Sequence, residues 1–248
     1  MSNYAFIPAR LDSSRFYRKV LYPIKGKTML QRVFEGSSSK IFDEIFITTC
    51  DEEVAQHAKK DLGASVIMTS DSHERCLDRV AEAYDKLPNK SESDIIFCIQ
   101  GDEPLIDKSF VDFFAEEHIK NEYQFSVAAV NIQNEKEFND PDIVKIVWNE
   151  SKKMVYTSRS AIPYLNQFNR NFAWKIFGMF GFRPEGLELF NSLDASFLEK
   201  IEQCDTNRIC GSSKLEQYVI PYKTKKYYQA VDNKSNVDRV IEILDQSF

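Results

Sequence analysis

The chain has 248 residues with a formal net charge of −6, and 43% of them are hydrophobic. These values are typical of a globular protein with a sizeable core, and the acidic balance argues against non-specific nucleic-acid binding, which needs a basic surface. No apolar run reaches the roughly 18 residues of a membrane span, and the N-terminus lacks the pattern of a signal peptide. The five cysteines form no C-x-x-C pair. We therefore expect a cytoplasmic protein without disulfides that binds neither nucleic acid nor membrane.

The first two-thirds of the chain alternate between strand and helix patterns. Strands are predicted at residues 4–7, 44–49, 65–68 and 95–100, and helices at residues 29–36, 52–62 and 73–87. The run IIFCIQ at 95–100 is almost wholly apolar, which predicts a central strand covered on both faces. Alternation with short connections favours a mainly parallel sheet with helices on both sides.

The pattern changes after about residue 121. Strands are predicted at residues 125–130, 143–148, 175–182 and 215–220, and helices at 184–191, 198–210 and 235–244. The whole chain is thus expected to be an α/β protein with a mainly parallel central sheet. We interpret residues 1–248 as one domain, with a smaller mixed lobe within about 125–220.

A polar loop follows the first predicted strand, which ends at Pro8. It contains four cations and two hydroxyls within ten residues: Arg10, Ser13, Ser14, Arg15, Arg18 and Lys19. A triphosphate carries about four negative charges and is held by cations, hydroxyls and backbone N–H groups where a strand ends. The loop meets that need, although a solvated charged loop has the same composition. It contains no glycine, which excludes a Walker loop and a Rossmann fingerprint.

Two aspartates are candidate metal ligands. Asp102 lies in the segment QGDEP, directly after the predicted central strand, and ligands of open α/β sheets bind beyond the C-terminal ends of strands. Magnesium prefers one or two carboxylates together with phosphate oxygens, so Asp102 suits it; a plain Asp-Glu-Pro turn is the alternative. Asp232 stands just before the last predicted helix, where an aspartate is more often a helix cap than a ligand.

One arginine is a candidate for binding an acidic substrate. Arg159 stands between Ser158 and Ser160, close to Tyr156. Its planar fork matches a carboxylate, which favours recognition of an acidic group. A surface arginine with no ligand is the alternative.

Together these segments resemble the 3-deoxy-manno-octulosonate cytidylyltransferase family, in the same order over nearly the whole chain. The family pattern I-P-A-R-x-x-S-[ST]-R-x-x-x-K matches residues 7–19, Q-G-D-E-P matches 100–104, and S-R-x-x-I-P matches 158–163. V-K-[VI]-V matches residues 144–147, L-E-x-I-E-x-x-[DE]-x-x-R matches 198–208, and V-D-x-x-x-[DN]-[LV] matches 231–237. The three first motifs in combination carry the resemblance.

The resemblance implies a fold like that of nucleotide-diphospho-sugar transferases. It also implies a Mg²⁺-dependent enzyme, commonly a homodimer, that moves CMP from CTP to a small acidic acceptor, a 3-deoxy-ulosonic sugar acid, and releases pyrophosphate. The implied catalytic residues are Arg15, Lys19 and Asp102, and the implied metal ligands are Asp102 and Asp232. The implied nucleotide-binding residues are Pro8, Arg10, Ser13, Ser14, Arg15, Lys19 and Arg79. The implied acceptor-binding residues are Gln100, Arg159, Glu202 and Asp205.

The chain departs from the family pattern near the acceptor and the base. The usual S-G-T-[DE]-R is RCLDR at residues 75–79, the usual histidine two residues before Gly178 is Ile176, and a usual tyrosine is Phe180. A less polar acceptor pocket is therefore expected. Three interpretations follow: transfer to 3-deoxy-manno-octulosonate or a modified relative, the same chemistry on another acidic acceptor such as a phosphonate, or a nucleotide-sugar-binding protein or glycosyltransferase.

Overall fold

The computed structural model describes residues 1–13, 15–73, 75–209, 212 and 214–246. Its strands are β1 (Asn3–Pro8), β2 (Pro23–Ile24), β3 (Lys27–Thr28), β4 (Glu44–Thr49), β5 (Ser65–Met68), β6 (Ile95–Ile99), β7 (Phe125–Asn131), β8 (Lys145–Trp148), β9 (Met154–Ser158), β10 (Trp174–Phe182) and β11 (Tyr218–Tyr222). Its helices are α1 (Met29–Gly36), α2 (Glu52–Asp61), α3 (Cys76–Asp85), α4 (Lys108–Lys120), α5 (Glu135–Asn139), α6 (Pro184–Ser192), α7 (Phe197–Glu202) and α8 (Lys234–Gln246). Two 3₁₀ turns lie at Lys19–Leu21 and Asp205–Ile209.

Nine strands form one sheet in the order β11-β7-β10-β6-β1-β4-β5, and the β8–β9 pair extends it from β10. β1 runs parallel to β4 and β6, β4 runs parallel to β5, and β11 runs parallel to β7. β10 is antiparallel to both of its neighbours β6 and β7. β2 and β3 form a separate hairpin. The predicted α/β fold with a mainly parallel sheet is thus confirmed.

The two faces of this sheet bury separate cores. Along β1, Ala5 and Ile7 pack into one core and Phe6 into the other, because successive side chains of a strand point to opposite faces. Helices α1, α2, α4 and α8 cover the first face, and α3 and α6 cover the second. β6 is buried along its whole length, which confirms the central strand predicted from IIFCIQ. Within the described part of the chain, no helix combines the length and apolar content needed to cross a bilayer.

The predicted helix over residues 198–210 is wrong. The chain instead forms α7, which ends at Glu202, and then the 3₁₀ turn at Asp205–Ile209; Cys210 lies outside the described residues. Gln203 has a φ of 52°, the left-handed conformation that ends an α-helix. The strand expected at 215–220 also lies later, at Tyr218–Tyr222, where it pairs with β7. The bend at Gln203 turns the following residues toward the sheet, where Thr206 and Asn207 are buried.

The buried His118 of α4 predicts a specific loss of stability in acid. Its Nδ1 lies 2.7 Å from Ser126 Oγ, and burial, with the charge of Arg183, lowers its pKa to about 3. Below a pH of about 6.5 the His118 imidazole therefore becomes protonated in the unfolded chain while it stays neutral in the native state. We expect His118 alone to lower the free energy of unfolding by about 1.4 kcal/mol per pH unit between about pH 6 and pH 4.

Urea unfolding of the wild type and of His118→Gln across this range measures that slope. Glutamine retains hydrogen-bonding capacity but cannot titrate. The slope of the free energy of unfolding against pH should therefore be smaller in the variant by the equivalent of about one bound proton. Parallel curves for the two proteins would contradict the prediction.

Candidate active site

A cavity of about 770 Å³ lies beside the C-terminal ends of β1 and β6. Its lining includes most residues that the sequence singled out: Pro8, Arg10, Ser13, Arg15, Lys19, Arg79, Gln100, Asp102, Arg159, Asp205 and Asp232. Glu202 lies behind this lining, and Ser14 lies outside the described residues. Segments distant in sequence thus meet at the sheet edge where open α/β sheets bind ligands.

Backbone hydrogen bonds hold the polar loop after β1 against the cavity. The N–H of Leu11 donates to the carboxylate of Asp51 over 2.8 Å, and the N–H of Arg18 donates to Leu11 O over 2.8 Å. A 3₁₀ turn begins directly afterwards at Lys19, whose side chain is only 14% exposed. These bonds fix the described part of the loop beside the cavity, although the side chains of Arg15 and Arg18 are 46% and 47% exposed. Phosphate binding by this loop stays a prediction.

Asp102 and Asp232 converge although 129 residues separate them, as the printed numbering shows. Gly101 allows the close approach of the loop after β6 to β1, since a Cβ there would lie 2.7 Å from Pro8 O. The N–H of Val231 donates to Asp102 O over 2.9 Å, which places the next residue, Asp232, beside Asp102. Lys19 Nζ lies 2.7 Å from Asp102 Oδ2 and 3.7 Å from Asp232 Oδ1. Both carboxylates therefore flank one ammonium group.

Asp232 is not the cap of the last helix. The Oδ1 atom of Asn233 accepts the N–H of Asn236 over 3.2 Å, which is the hydrogen bond of a helix N-cap. Asn236 in turn accepts the N–H of Asp232 over 3.0 Å and so fixes its backbone. The carboxylate of Asp232 instead accepts a hydrogen bond from Arg15 Nη2 over 2.7 Å. Its side chain faces the cavity, which favours the ligand interpretation.

The charges around Lys19 are strongly coupled. Burial alone would lower the pKa of Lys19, but the carboxylates of Asp102 and Asp232 outweigh burial and raise it. The pKa of Asp232 is raised by burial and by the charge of Asp102. Among the described residues, Asp102 Oδ1 is a buried atom without a hydrogen-bond partner. A buried unpaired carboxylate oxygen is costly, so this atom favours a further cation or donor at the site.

Arg159 and Glu202 form the opposite wall of the site. Glu202 accepts hydrogen bonds from the Ser158 hydroxyl (2.8 Å), the Arg159 N–H (2.9 Å) and the Tyr156 hydroxyl (2.6 Å). Burial would raise the pKa of Glu202, but these hydrogen bonds lower it. Glu202 thus anchors the segment that carries Arg159.

Two nitrogens of the Arg159 guanidinium are held by backbone carbonyls. Nε donates to Glu202 O over 2.9 Å and Nη1 donates to Pro141 O over 3.0 Å. Among the described residues no hydrogen bond is formed by Nη2. An arginine has five N–H donors, so one on Nη1 and two on Nη2 remain. Arg159 can therefore present an Nη1–Nη2 pair to a carboxylate in the cavity.

Three further predicted residues, Gln100, Asp205 and Arg79, also line the cavity. Gln100 Nε2 lies 3.1 Å from Cys76 Sγ, and burial raises the pKa of Asp205, which lies 3.5 Å from Arg75 Nε, to about 6. Arg79 is buried and donates to Ser70 O over 3.0 Å, so it stabilises the loop before α3 as well as bordering the cavity. Its predicted role in nucleotide binding stays a prediction.

Ile176 and Phe180 both line the cavity. Phe180 is 3% exposed, and its ring packs in the core under β10. The polar hydrogen-bonding groups of a histidine and a tyrosine are therefore absent at these two positions. This part of the wall is apolar, as the sequence predicted.

Several ionisable residues in or beside this site were not predicted from the sequence, among them Asp142, Lys145 and Glu103. Asp142 Oδ1 lies 3.3 Å from Arg15 Nη1, and Lys145 is fully buried behind the same segment. Glu103 accepts the N–H of Gly178 over 3.0 Å, and burial, with the charge of Asp102, raises its pKa to about 8. Glu103 lies in the Q-G-D-E-P motif and Lys145 in the V-K-[VI]-V motif. These motifs were the sequence signal that could have pointed to both residues.

These features define a class of protein. A mainly parallel sheet, a cation-rich loop after the first strand and two carboxylates facing it are features that fit the transfer of a nucleotide from a triphosphate. The class that they define is that of the α/β nucleotidyltransferases.

Comparison with known proteins gives the family. A family model described as "Cytidylyltransferase" matches residues 4–228. The 3-deoxy-manno-octulosonate cytidylyltransferase of Thermodesulfovibrio yellowstonii is 39% identical over 214 residues, which cover 82% of this chain and 83% of that protein. The enzyme of the same name from Francisella philomiragia is 32% identical over 246 residues, covering 96% and 97%. The chain therefore belongs to the cytidylyltransferase family.

Solved structures agree with this assignment. A CMP:2-keto-3-deoxy-manno-octonic acid synthetase complexed with CTP matches all of both chains with a TM-score of 0.86 and 26% identity. An inositol-1-phosphate CTP transferase from T. maritima matches 98% of this chain and 95% of its own with a TM-score of 0.69. Because the latter is only 13% identical, it shows a shared fold alone. The protein is thus a nucleotidyltransferase enzyme.

Proposed function

We propose that this protein transfers CMP from CTP to 3-deoxy-manno-octulosonate and releases pyrophosphate. One observation carries the proposal: Asp102, Asp232 and Lys19 meet at the strand ends, in the same cavity as the free donors of Arg159. A charged site for a triphosphate thus faces a site for a carboxylate. The names of the similar enzymes, and the CTP in the similar structure, support this choice of substrates.

The reaction depends on positioning and on charge. A hydroxyl oxygen of the acceptor attacks the α-phosphorus of CTP, a new P–O bond forms, and the bond to the β-phosphate oxygen breaks so that pyrophosphate leaves. Arg15 and Lys19 are placed to neutralise the leaving pyrophosphate. Arg15 contacts Asp142 and Asp232, so a triphosphate bound to Arg15 would compete with these two carboxylates.

The ammonium of Lys19 has one N–H donor available for a phosphate oxygen. Its ammonium donates to Asp102 Oδ2 over 2.7 Å and to Val231 O over 3.0 Å. The third donor of the ammonium has only Asp232 Oδ1 nearby, at 3.7 Å, which is beyond hydrogen-bonding distance. A phosphate oxygen in the cavity is therefore an available acceptor for that proton.

The carboxylate pair fits a magnesium ion. Asp102 and Asp232 would hold it, since Mg²⁺ is commonly bound by one or two carboxylates together with substrate phosphates. The unpartnered Asp102 Oδ1 supports this fit. When bound, Mg²⁺ supplies positive charge to the phosphate oxygens during the transfer. Further acidic ligands are not required, and among the described residues no group of three or more His, Cys, Asp or Glu side chains is arranged to bind a metal.

Arg159→Lys tests the acceptor site. Lysine keeps the positive charge but cannot reproduce the paired Nη donors or the bonds to Glu202 O and Pro141 O. We expect the acceptor KM to rise by about 10-fold to 150-fold, equivalent to about 1.5–3 kcal/mol for a charged hydrogen bond, while the CTP KM stays near wild type. Steady-state kinetics at saturating CTP measure the change.

Arg170→Lys is the matched control for this variant. Arg170 also donates to a backbone carbonyl, that of Thr224, but it is not part of the cavity lining. It should leave both KM values unchanged. A rise in the CTP KM alone for Arg159→Lys would place Arg159 on the nucleotide side and contradict its assignment.

A CTP-dependent pyrophosphate assay across acidic acceptors tests the function itself. The panel contains 3-deoxy-manno-octulosonate, relatives with one hydroxyl changed or removed, and a phosphonate. Because Ile176 and Phe180 supply no hydrogen bonds, relatives altered at a nearby hydroxyl should be used nearly as well or better. Turnover of the phosphonate alone would overturn the proposed acceptor. CTP binding without pyrophosphate release would favour a binding protein.

The family resemblance also leads us to propose a cytoplasmic homodimer in which residues 1–248 act as one domain. Sedimentation of the full chain at micromolar concentration tests the oligomeric state. A monomer at all concentrations would contradict it.

A further inference from the structure

Lys145 is a buried cation whose three donors are all used by the backbone. It opens β8 and has no exposed surface. Its ammonium donates to Asp140 O and Ile143 O, each over 2.7 Å, and also to Arg159 O. An ammonium has three donors, so this set satisfies it completely. A buried charge is tolerated only when it is satisfied in this way.

The three carbonyls belong to two separate walls of the cavity. Residues 140–143 form one wall, where the Asp142 carboxylate meets Arg15 and Pro141 O accepts Arg159 Nη1. Arg159 forms the other wall, at the end of β9. Lys145 therefore joins the segment beside the nucleotide-binding loop to the residue that faces the acceptor.

Each wall has hydrogen bonds of its own, such as those from the Arg159 N–H to Glu202 and from the Asp142 N–H to Asp140, but Lys145 bonds to both walls at once. The segment 140–143 lies outside regular secondary structure, and the Arg159 guanidinium depends on Pro141 O and Glu202 O for its orientation. Without Lys145 the partly buried carbonyls of Ile143 and Arg159 would lose this donor, whereas Asp140 O would keep the N–H of Ile143. An unpaired carbonyl away from water is costly enough to shift the backbone. A small shift of Pro141 would release Nη1 of Arg159, and an error of about 1 Å in such a group is large for catalysis.

We propose that Lys145 is a positioning residue for the acceptor: it fixes Arg159 against residues 140–143 so that the free guanidinium donors point into the cavity. This inference rests on the proposed function, because it assigns Arg159 to the acceptor. Lys145 itself does not touch the substrates. The nucleotide loop and the Asp102–Asp232 pair are held by other hydrogen bonds, which the Leu11 N–H donates to Asp51 and the Val231 N–H donates to Asp102 O.

Binding of the acceptor and binding of CTP should respond differently to substitution of Lys145. In Lys145→Met the acceptor KM should rise at least about 10-fold, whereas the Kd for CTP, measured directly by calorimetry without acceptor, should change less than about threefold. Lys145→Gln keeps two donors and should show the same division with a smaller effect. Lys145→Gln replaces Lys145→Met as the test variant if the latter does not fold.

A double-mutant cycle distinguishes positioning from general weakening of the fold. If Lys145 acts through Arg159, then Lys145→Met should have little further effect on the acceptor KM when Arg159 is already alanine. Ile146→Ala is the matched control, because Ile146 is buried in the same strand but packs into the core on its own side. It should lower the melting temperature while leaving the acceptor KM near wild type.

Amide hydrogen exchange gives a readout that is independent of turnover. Exchange in Lys145→Met should accelerate at residues 140–144 and 158–160 but not at residues 8–13 or 100–104. Equal acceleration everywhere, an unchanged acceptor KM, or additive effects with Arg159→Ala would each overturn the proposal. If the wild type uses no acceptor, the proposed function fails, and the exchange pattern still reports whether Lys145 holds the two walls together.

Discussion

Asp102→Asn should abolish turnover while leaving the fold intact. We expect kcat to fall by at least about a thousandfold, because a catalytic metal contributes several kcal/mol and about 1.4 kcal/mol corresponds to a factor of ten. Asparagine has nearly the same shape, but it removes the charge that Lys19 contacts over 2.7 Å. Single-turnover measurement of pyrophosphate release at saturating substrates checks the chemical step.

Metal binding gives a second readout for the same variant. Asp102→Asn and Asp232→Asn should each weaken binding of Mg²⁺, or of Mn²⁺ as its spectroscopic substitute, in the presence of CTP. Circular dichroism and thermal unfolding should still show a folded protein, since both side chains are partly exposed rather than part of a core.

Asp142→Asn is the matched control for both variants. Asp142 also lines the cavity and contacts Arg15 over 3.3 Å, but its side chain is 49% exposed and does not face Lys19. An exposed ion pair contributes little, so the effect on kcat should be less than about fivefold. If Asp142→Asn lowered kcat as much as Asp102→Asn, the overall negative charge of the cavity would explain both effects. A metal site shared by Asp102 and Asp232 would then not be supported.

The sequence predicted the first half of the fold because its local signals agree with the tertiary structure. The apolar run of β6 is buried on both faces, as its composition predicts. The helix after β4 has one apolar and one polar face, and its apolar residues follow the 3.6-residue period of a helix. The α4 helix was not predicted, although its sequence carries the usual signals. Asp107 accepts the N–H groups of Ser109 and Phe110 as an N-cap, and apolar residues recur along Lys108–Lys120.

The region after α6 could not be predicted in the same way. Residues 198–210 keep an apolar spacing that is compatible with one helix, but Gln203 is left-handed and breaks it. The break is stabilised by tertiary contacts: Arg208 binds Glu199 over 2.9 Å and Asp78, in α3, over 2.8 Å. No periodicity in a single sequence reveals such a partner in another helix.

The site shows the same division between local and long-range information. Asp102 was identified because it follows the central strand, whereas Asp232 was a weak candidate from its position and gained support only through the family resemblance. The bond from Val231 to Asp102 O, which brings them together, has no sequence pattern of its own. Lys145 was quoted within V-K-[VI]-V without a role, because its three acceptors are backbone carbonyls that any residue could supply.

Lys19→Met should have opposite effects on catalysis and on metal binding. We expect kcat/KM for CTP to fall by about 10-fold to 150-fold, since one charged hydrogen bond to phosphate is equivalent to about 1.5–3 kcal/mol. The ammonium also lies beside both carboxylates proposed to bind Mg²⁺, 2.7 Å from Asp102 Oδ2 and 3.7 Å from Asp232 Oδ1. Removing it leaves two carboxylates with one fewer counter-charge, so Mg²⁺ should bind the nucleotide-free variant more tightly than the wild type.

Two measurements on this variant separate the roles of Lys19. Pyrophosphate release gives kcat/KM, and calorimetric titration of Mg²⁺ into the nucleotide-free enzyme gives the metal affinity. Lys25→Met is the control, because Lys25 also pairs with an aspartate, Asp245, but does so on the surface outside the cavity. It should change neither quantity. A Lys19→Met variant with lower kcat/KM and weaker Mg²⁺ binding would mean that Lys19 supports the metal site instead of competing with it, and unchanged kinetics would remove Lys19 from the phosphate site.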